Sequence, residues 1–182
     1  MMEGVLKIID ETIGKEGAYS NHPSDLGGAT RWGITQGKAR EHGYFGDMKI
    51  YPREMAVAVY LKDFWERPKI STVASISEPI ATELFDTGVN MGAGVPGFML
   101  QKALNALNGQ GKLYPDIVED GDIGPGTRGA LSAFLKKRGK EGEGVMLKAL
   151  NVLQGARYFD ITLHRQRNED FLYGWLRSRV GL

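Results

Sequence analysis

Carboxylates, a hydroxyl and aromatic rings fall together in one short stretch of the chain, Lys15 to Thr35, which reads KEGAYSNHPSDLGGATRWGIT. Glu16 closes an apolar helical pattern; eight residues separate it from Asp25, and four more separate Asp25 from Thr30. Tyr19, Asn21, His22 and Trp32 are interleaved, and Gly17, Gly27, Gly28 and Gly33 let the backbone bend. Cleaving a glycosidic bond takes a proton delivered to a poor leaving-group oxygen and a water brought to the anomeric carbon. An acid at the end of an apolar helix, facing a cleft, loses solvent; its pKa rises and it stays protonated near neutral pH. Glu16 suits that role. Asp25, in a loop of Pro, Ser and Gly, stays wet and ionised and acts on the water, with Thr30 as a second water ligand. Tyr19, Asn21 and Trp32 are the candidate sugar contacts.

Each of these residues also has an ordinary use. A Glu after a helical pattern is most often a solvated surface residue. Asp25 and Asn21 can bond nearby backbone amides, as Asx residues beside Pro and Gly do. Trp32 is more often a packing residue than a sugar platform, and His22 before Pro23 more often an exposed loop residue than a ligand. The whole string separates the two readings. It resembles the signature of glycoside hydrolase family 108, the phage and bacterial N-acetylmuramidases, at Glu16, Gly17, Tyr19, Asn21, Asp25, Gly27, Gly28, Thr30, Gly33 and Ile34. Ala18 departs from it, since that position is usually Gly in the family. The resemblance implies a mainly α, lysozyme-like fold with a small irregular or β-hairpin lobe at the cleft, Glu16 as catalytic acid, and peptidoglycan as substrate. The Glu, Asp, Thr spacing is also similar to the catalytic triad of the better-known phage lysozymes, with an Asp-to-Thr gap one residue shorter.

Holding these groups in place falls to the elements around them. Val5, Leu6, Ile8, Ile9 and Ile13 recur at helical spacing, so a first helix is expected from residue 2 to about 14. Residues 17 to 35 carry too many turn formers for a helix, and only Thr30 to Ile34 reads as extended. A short helix from Gln36 to Glu41 and a loop from Tyr44 to Ile50 follow. Pro52 reads as the first-turn proline of a buried helix running through Phe64 and Trp65 toward Pro68. Ser77 is a candidate cap for a helix that carries Leu84, Phe85, Asp86 and Asn90 and closes at Gly92. In the lysozyme-like resemblance this helix lines the cleft floor, which makes Asn90 a candidate sugar contact; a helix C-terminal Asn is the equal alternative. After a helix from about Pro96 to Leu107, the segment DGDIGPGTRGALSAF, Asp120 to Phe134, resembles the Asp-Gly, Gly-Pro, Thr pattern of small helical peptidoglycan-binding modules. The same residues also make an Asx-Gly turn feeding a helix start at Pro125. A long helical pattern, or two consecutive helices, runs on to the C-terminus.

Composition narrows the function classes. The chain has 182 residues, 42% of them hydrophobic, enough for one well-packed domain or two small ones. There is no cysteine, so disulfides, thiol catalysis and Cys-based zinc sites are unavailable. His22, His42 and His164 lack metal-ligand spacing, and no phosphate-binding glycine loop follows a strand pattern; no metal or cofactor is expected. The net charge of +1 argues against strong non-specific nucleic-acid binding. From Lys136 onward ten Lys or Arg face five Asp or Glu, a local excess of five positive charges that suits an anionic polymer and equally a plain solvated face. The N-terminal apolar run is too short and acidic for a signal peptide or membrane anchor, so a cytoplasmic, monomeric protein released to the wall by a separate, holin-like factor is expected.

The expectation is a catalytic lobe over residues 1–92 with a helical peptidoglycan-binding lobe, 93–182, packed on it. The activity would be hydrolysis of the β-1,4 bond between N-acetylmuramic acid and N-acetylglucosamine. A lytic transglycosylase on the same bond and a non-catalytic wall-binding or virion structural protein are the alternatives; Asp25 and Thr30 favour hydrolysis, because a transglycosylase has no use for a water-binding pair. The turning loop between Glu16 and Asp25 suggests widely spaced carboxyls and inversion at the anomeric carbon.

Overall fold

The structure, a computed structural model, describes residues 2–16, 19–21 and 28–181. The side chains of 2–4, 8, 15, 16 and 167 are outside that description. The chain is mainly helical with one small two-stranded sheet, and it divides into two compact units, 1–67 and 68–182. No described helix is long and apolar enough to cross a membrane.

In the first unit α1 (Met2–Glu16) buries Val5, Ile9, Thr12 and Ile13, one stripe at helical spacing, and packs on α3 (Arg53–Tyr60). Between them lie a hairpin of β1 (Thr30–Arg31) and β2 (Ile34–Thr35) and the short α2 (Gln36–Glu41). The hairpin register pairs Thr30 with Thr35 and Arg31 with Ile34. Thr35 leaves the strand to cap α2, its hydroxyl accepting from the Lys38 amide at 3.3 Å. Pro52 stands one residue earlier than the first turn, at the N-cap of α3. Instead of continuing as a regular α-helix toward Pro68, α3 widens into a π turn, Leu61–Glu66, closed by the Arg67 amide on the Lys62 carbonyl at 3.0 Å. The wider turn carries Asp63 and Trp65 into the interior.

The second unit is built from α4 (Ile70–Ala74), α5 (Glu78–Met91), α6 (Val95–Leu107), α7 (Pro125–Leu163) and α8 (Glu169–Arg179). Ile80, Leu84 and Phe85 of α5, Leu100 and Leu104 of α6, and Leu131, Phe134, Met146 and Leu150 of α7 close its core. Ser77 caps α5, its hydroxyl accepting from the Ile80 amide at 3.3 Å. Pro125 opens α7, and Gly139, at φ 57°, interrupts it, so the element is two helices meeting at a kink. The Asp120 to Thr127 stretch folds back onto α6 as a loop whose hub is buried Gln101. The Gln101 side-chain amide donates to Asp120 Oδ1 at 2.8 Å, the Asp122 carbonyl at 3.0 Å and Thr127 Oγ1 at 3.2 Å, while its oxygen accepts from the Gly121 amide at 2.7 Å. The backbones approach so closely that a Cβ on Gly97 would lie 1.9 Å from the Gly121 carbonyl oxygen.

Candidate active site

Glu16 is the last residue of α1, so the buried stripe of Val5, Ile9 and Ile13 fixes where its backbone stands. Its side chain lies outside the described residues, and so do Asp25 and His22. Ser20 pairs with Thr30 through both backbone bonds, amide to carbonyl, at 2.9 and 2.8 Å. This bridge adds a short third rung to the hairpin and sets Tyr19 and Asn21, both exposed, alongside the strand that carries Thr30. Thr30 is half-buried, and its hydroxyl donates to the Gly28 carbonyl at 3.2 Å, which leaves the oxygen lone pairs available to accept.

Trp32 and Gly33 form the hairpin loop with φ of 55° and 72°, the positive pair that a two-residue type I′ loop needs. Tryptophan in that region costs about 1 to 2 kcal/mol and is held there by the scaffold. Its indole N–H donates to the Tyr51 carbonyl at 3.0 Å, and its own carbonyl accepts from the Tyr60 hydroxyl at 3.2 Å. Tyr51 and Tyr60 are buried and fixed. The Trp32 ring is half-buried and tethered by its N–H, with the Arg31 guanidinium 5.2 Å from its centroid; Lys49 stands 5.9 Å from the Tyr19 centroid. Two aromatic rings beside Thr30 thus carry a cation each.

Sequence reasoning passed over the group that braces this hairpin. Asp63, in the π turn, is 7% exposed and accepts from His42 at 3.0 Å and Lys38 at 3.2 Å, tying α2 to α3. Burial works to raise its pKa, but the bonds to His42 and Lys38 win and hold the carboxyl below the usual range. It is an ionised anchor and not a proton donor. Its signal in the sequence was weak, because the contact spans 21 residues.

Asn90 belongs to the second unit, on α5, where its side-chain amide donates back to the Asp86 carbonyl at 2.7 Å. One turn before Asp86, Glu83 is the carboxyl most displaced among the described residues: burial pushes it up to about 7, Asn151 holds it back, and the Asp86 charge adds to the rise. Asp86 itself pairs with Arg179 at 2.8 Å. Among the described residues no cluster of His, Asp and Glu could hold a metal ion.

Residues 9–92 match the family model described as Glycosyl hydrolase 108, and residues 95–180 match the one described as Predicted Peptidoglycan domain. The first match runs past the division between the compact units, so α4 and α5 go with the hydrolase by sequence and with the second unit by packing. Among solved structures the chain is similar to SagA of Brucella abortus, with 22% identity over 99% of this chain and 91% of that one and a TM-score of 0.71, which shows the shared fold. Among curated proteins no match was found.

Proposed function

The chain belongs to the glycosyl hydrolase 108 family through residues 9–92, a glycoside hydrolase acting on peptidoglycan, and from that premise we propose that it is a muramidase cutting the β-1,4 bond between N-acetylmuramic acid and N-acetylglucosamine. Glu16 is the general acid that protonates the leaving oxygen. Asp25 and Thr30 hold the attacking water. The Ser20 to Thr30 bridge carries this reading, because it anchors Thr30 to a residue only four positions along the chain from Glu16. From Glu16 to Ser20 the chain spans at most about 14 Å, so Thr30 is tethered within reach of a cleft opening at that helix end.

The Thr30 hydroxyl then has a defined chemical part. With its proton committed to the Gly28 carbonyl, it presents lone pairs and accepts one hydrogen of the water. Asp25 accepts the other and takes that proton as the oxygen attacks. A lone pair of the water is left facing the anomeric carbon, while Glu16 delivers its own proton to the departing sugar. Tyr19, Asn21 and Trp32 flank the strand as sugar contacts, Trp32 through its ring because its N–H is already used.

Replacing Glu16 by Gln tests the assignment. The amide keeps the size and loses the transferable proton, so release of soluble fragments from purified walls should fall at least about a hundredfold with an unchanged circular dichroism spectrum. Asp25→Asn should cost less, since an amide still holds a water that it cannot deprotonate. A Glu16→Gln protein that clears walls at a comparable rate places the acid elsewhere.

A further inference from the structure

The second unit carries a groove that the hydrolytic site leaves unused. Two cavities of about 390 and 530 Å³ lie along one side of α7 and adjoin at Arg157 and Asp160, which line both. The first is walled by Phe98 and Lys102 of α6; the second continues past the end of α7 to His164 and Arg165. Three features decide what fits.

Phe98 is 48% exposed at the lip yet fixed, because its ring lies against Gly121: a Cβ there would meet the ring at 2.6 Å. The Asp120 to Thr127 loop, knotted on Gln101, thus backs a rigid aromatic face, the surface on which the apolar side of a sugar ring stacks. The charges are arranged unevenly. Asp160 is engaged by Arg157 at 3.0 Å and by His164 at 3.5 Å, and Glu119 accepts from Asn105 at 3.1 Å, whereas Lys102 and Arg165 bring positive charge to the two ends. The length is limited too. From Leu153 to Leu163 α7 runs about 15 Å, and an extended peptide of three residues covers about 10 Å, leaving room for one sugar.

We propose that this groove binds the peptide-bearing muramic acid unit of peptidoglycan, with the sugar on Phe98 and the stem carboxylates toward Lys102 and Arg165. The proposal rests on the muramidase reading for its ligand class, and it gives the second unit a specificity the hydrolytic site does not need. It selects strands that carry acidic stems over neutral chains of N-acetylglucosamine.

The probe is a purified disaccharide-tetrapeptide, which lacks an internal bond for a muramidase to cut, titrated into the full chain and followed by amide NMR. Amides of residues 98–102 and 153–165 should shift. Arg165→Glu and Lys102→Glu, both at exposed positions, should each weaken the affinity at those resonances about tenfold or more. Phe98→Ala should weaken the disaccharide-tetrapeptide and leave the free tetrapeptide unaffected. Chitotetraose should bind there at least about tenfold more weakly than the disaccharide-tetrapeptide. Unshifted amides in the groove, unchanged affinity in both charge-reversal variants, or chitotetraose binding equal to that of the disaccharide-tetrapeptide overturns the proposal. Wall hydrolysis by the same preparations keeps the two readings apart: fragments released by a protein whose groove does not bind refute the groove alone, and no release from any preparation refutes the muramidase.

Discussion

Glu83→Gln should make the second unit more stable at pH 8 and much less so at pH 5. In the native protein Glu83 sits on α5 with Oε1 buried and no hydrogen-bond partner for that atom among the described residues. Burial raises its pKa from 4.5 to about 7, with Asn151 opposing and Asp86 reinforcing the shift. The folded chain therefore holds this proton more tightly than the unfolded chain. Between about pH 4.5 and 7 the folded state binds more protons, so stability is full below the lower value and falls as pH rises through the upper one. A shift of about 2.5 units corresponds to about 3.4 kcal/mol at 1.36 kcal/mol per unit. Residual solvent around the group reduces this to about 2 kcal/mol. Glutamine keeps the volume and is neutral at every pH, so it removes the penalty only where Glu83 is ionised. The charges facing the group, Asp86 with its partner Arg179, are the same in both proteins. Urea unfolding at pH 5 and pH 8, followed at the Trp175 indole that stacks on Tyr158 at 4.9 Å, reads the difference. A Gln-minus-Glu stability difference that is equal at the two pH values refutes the reasoning.

Gly97→Ala tests the packing of the Asp120 to Thr127 loop: helix propensity alone favours Ala by about 1 kcal/mol, but a Cβ 1.9 Å from the Gly121 carbonyl reverses the sign, and a loss of about 3 kcal/mol in urea unfolding is expected. A gain in stability would contradict the close approach. Thr30→Val keeps the shape of a strand residue and removes the hydroxyl, so kcat on purified walls should fall about 10- to 100-fold while Thr30→Ser retains most of it; equal activity in Val and Ser variants removes the water-ligand role.

Local signals were readable wherever the cause of the structure was local. Ser77, Gly92, Asn108 followed by Gly109, and Pro125 mark helix ends because their capping and backbone preferences act within a turn. Gln36 to Glu41 is helical as its pattern predicts, and the extended stretch from Thr30 contains the hairpin. What escaped depends on partners far along the chain. Trp32 takes a positive φ that its side chain disfavours, because Tyr51 and Tyr60 hold it, 19 and 28 residues away. The π turn at Leu61–Glu66 lies inside an ordinary helical pattern, and its buried Asp63 is explained only by Lys38 and His42. Glu83 carries no signal of its own in the helical pattern of α5; its displacement comes from the packing of α7 onto α5. In the Asp-Gly motif the turn chemistry was legible, whereas the Gln101 hub that organises it was not.

The central claim is hydrolysis with a water held by Asp25 and Thr30, and product analysis in heavy-oxygen water tests it most directly. Mass spectrometry of the fragments released from purified peptidoglycan should show reducing N-acetylmuramic acid ends carrying one heavy oxygen, with the α-anomer first in a proton NMR time course, as inversion at a β-linkage requires. Anhydro ends without the label, formed by attack of the sugar's own hydroxyl, would contradict the account.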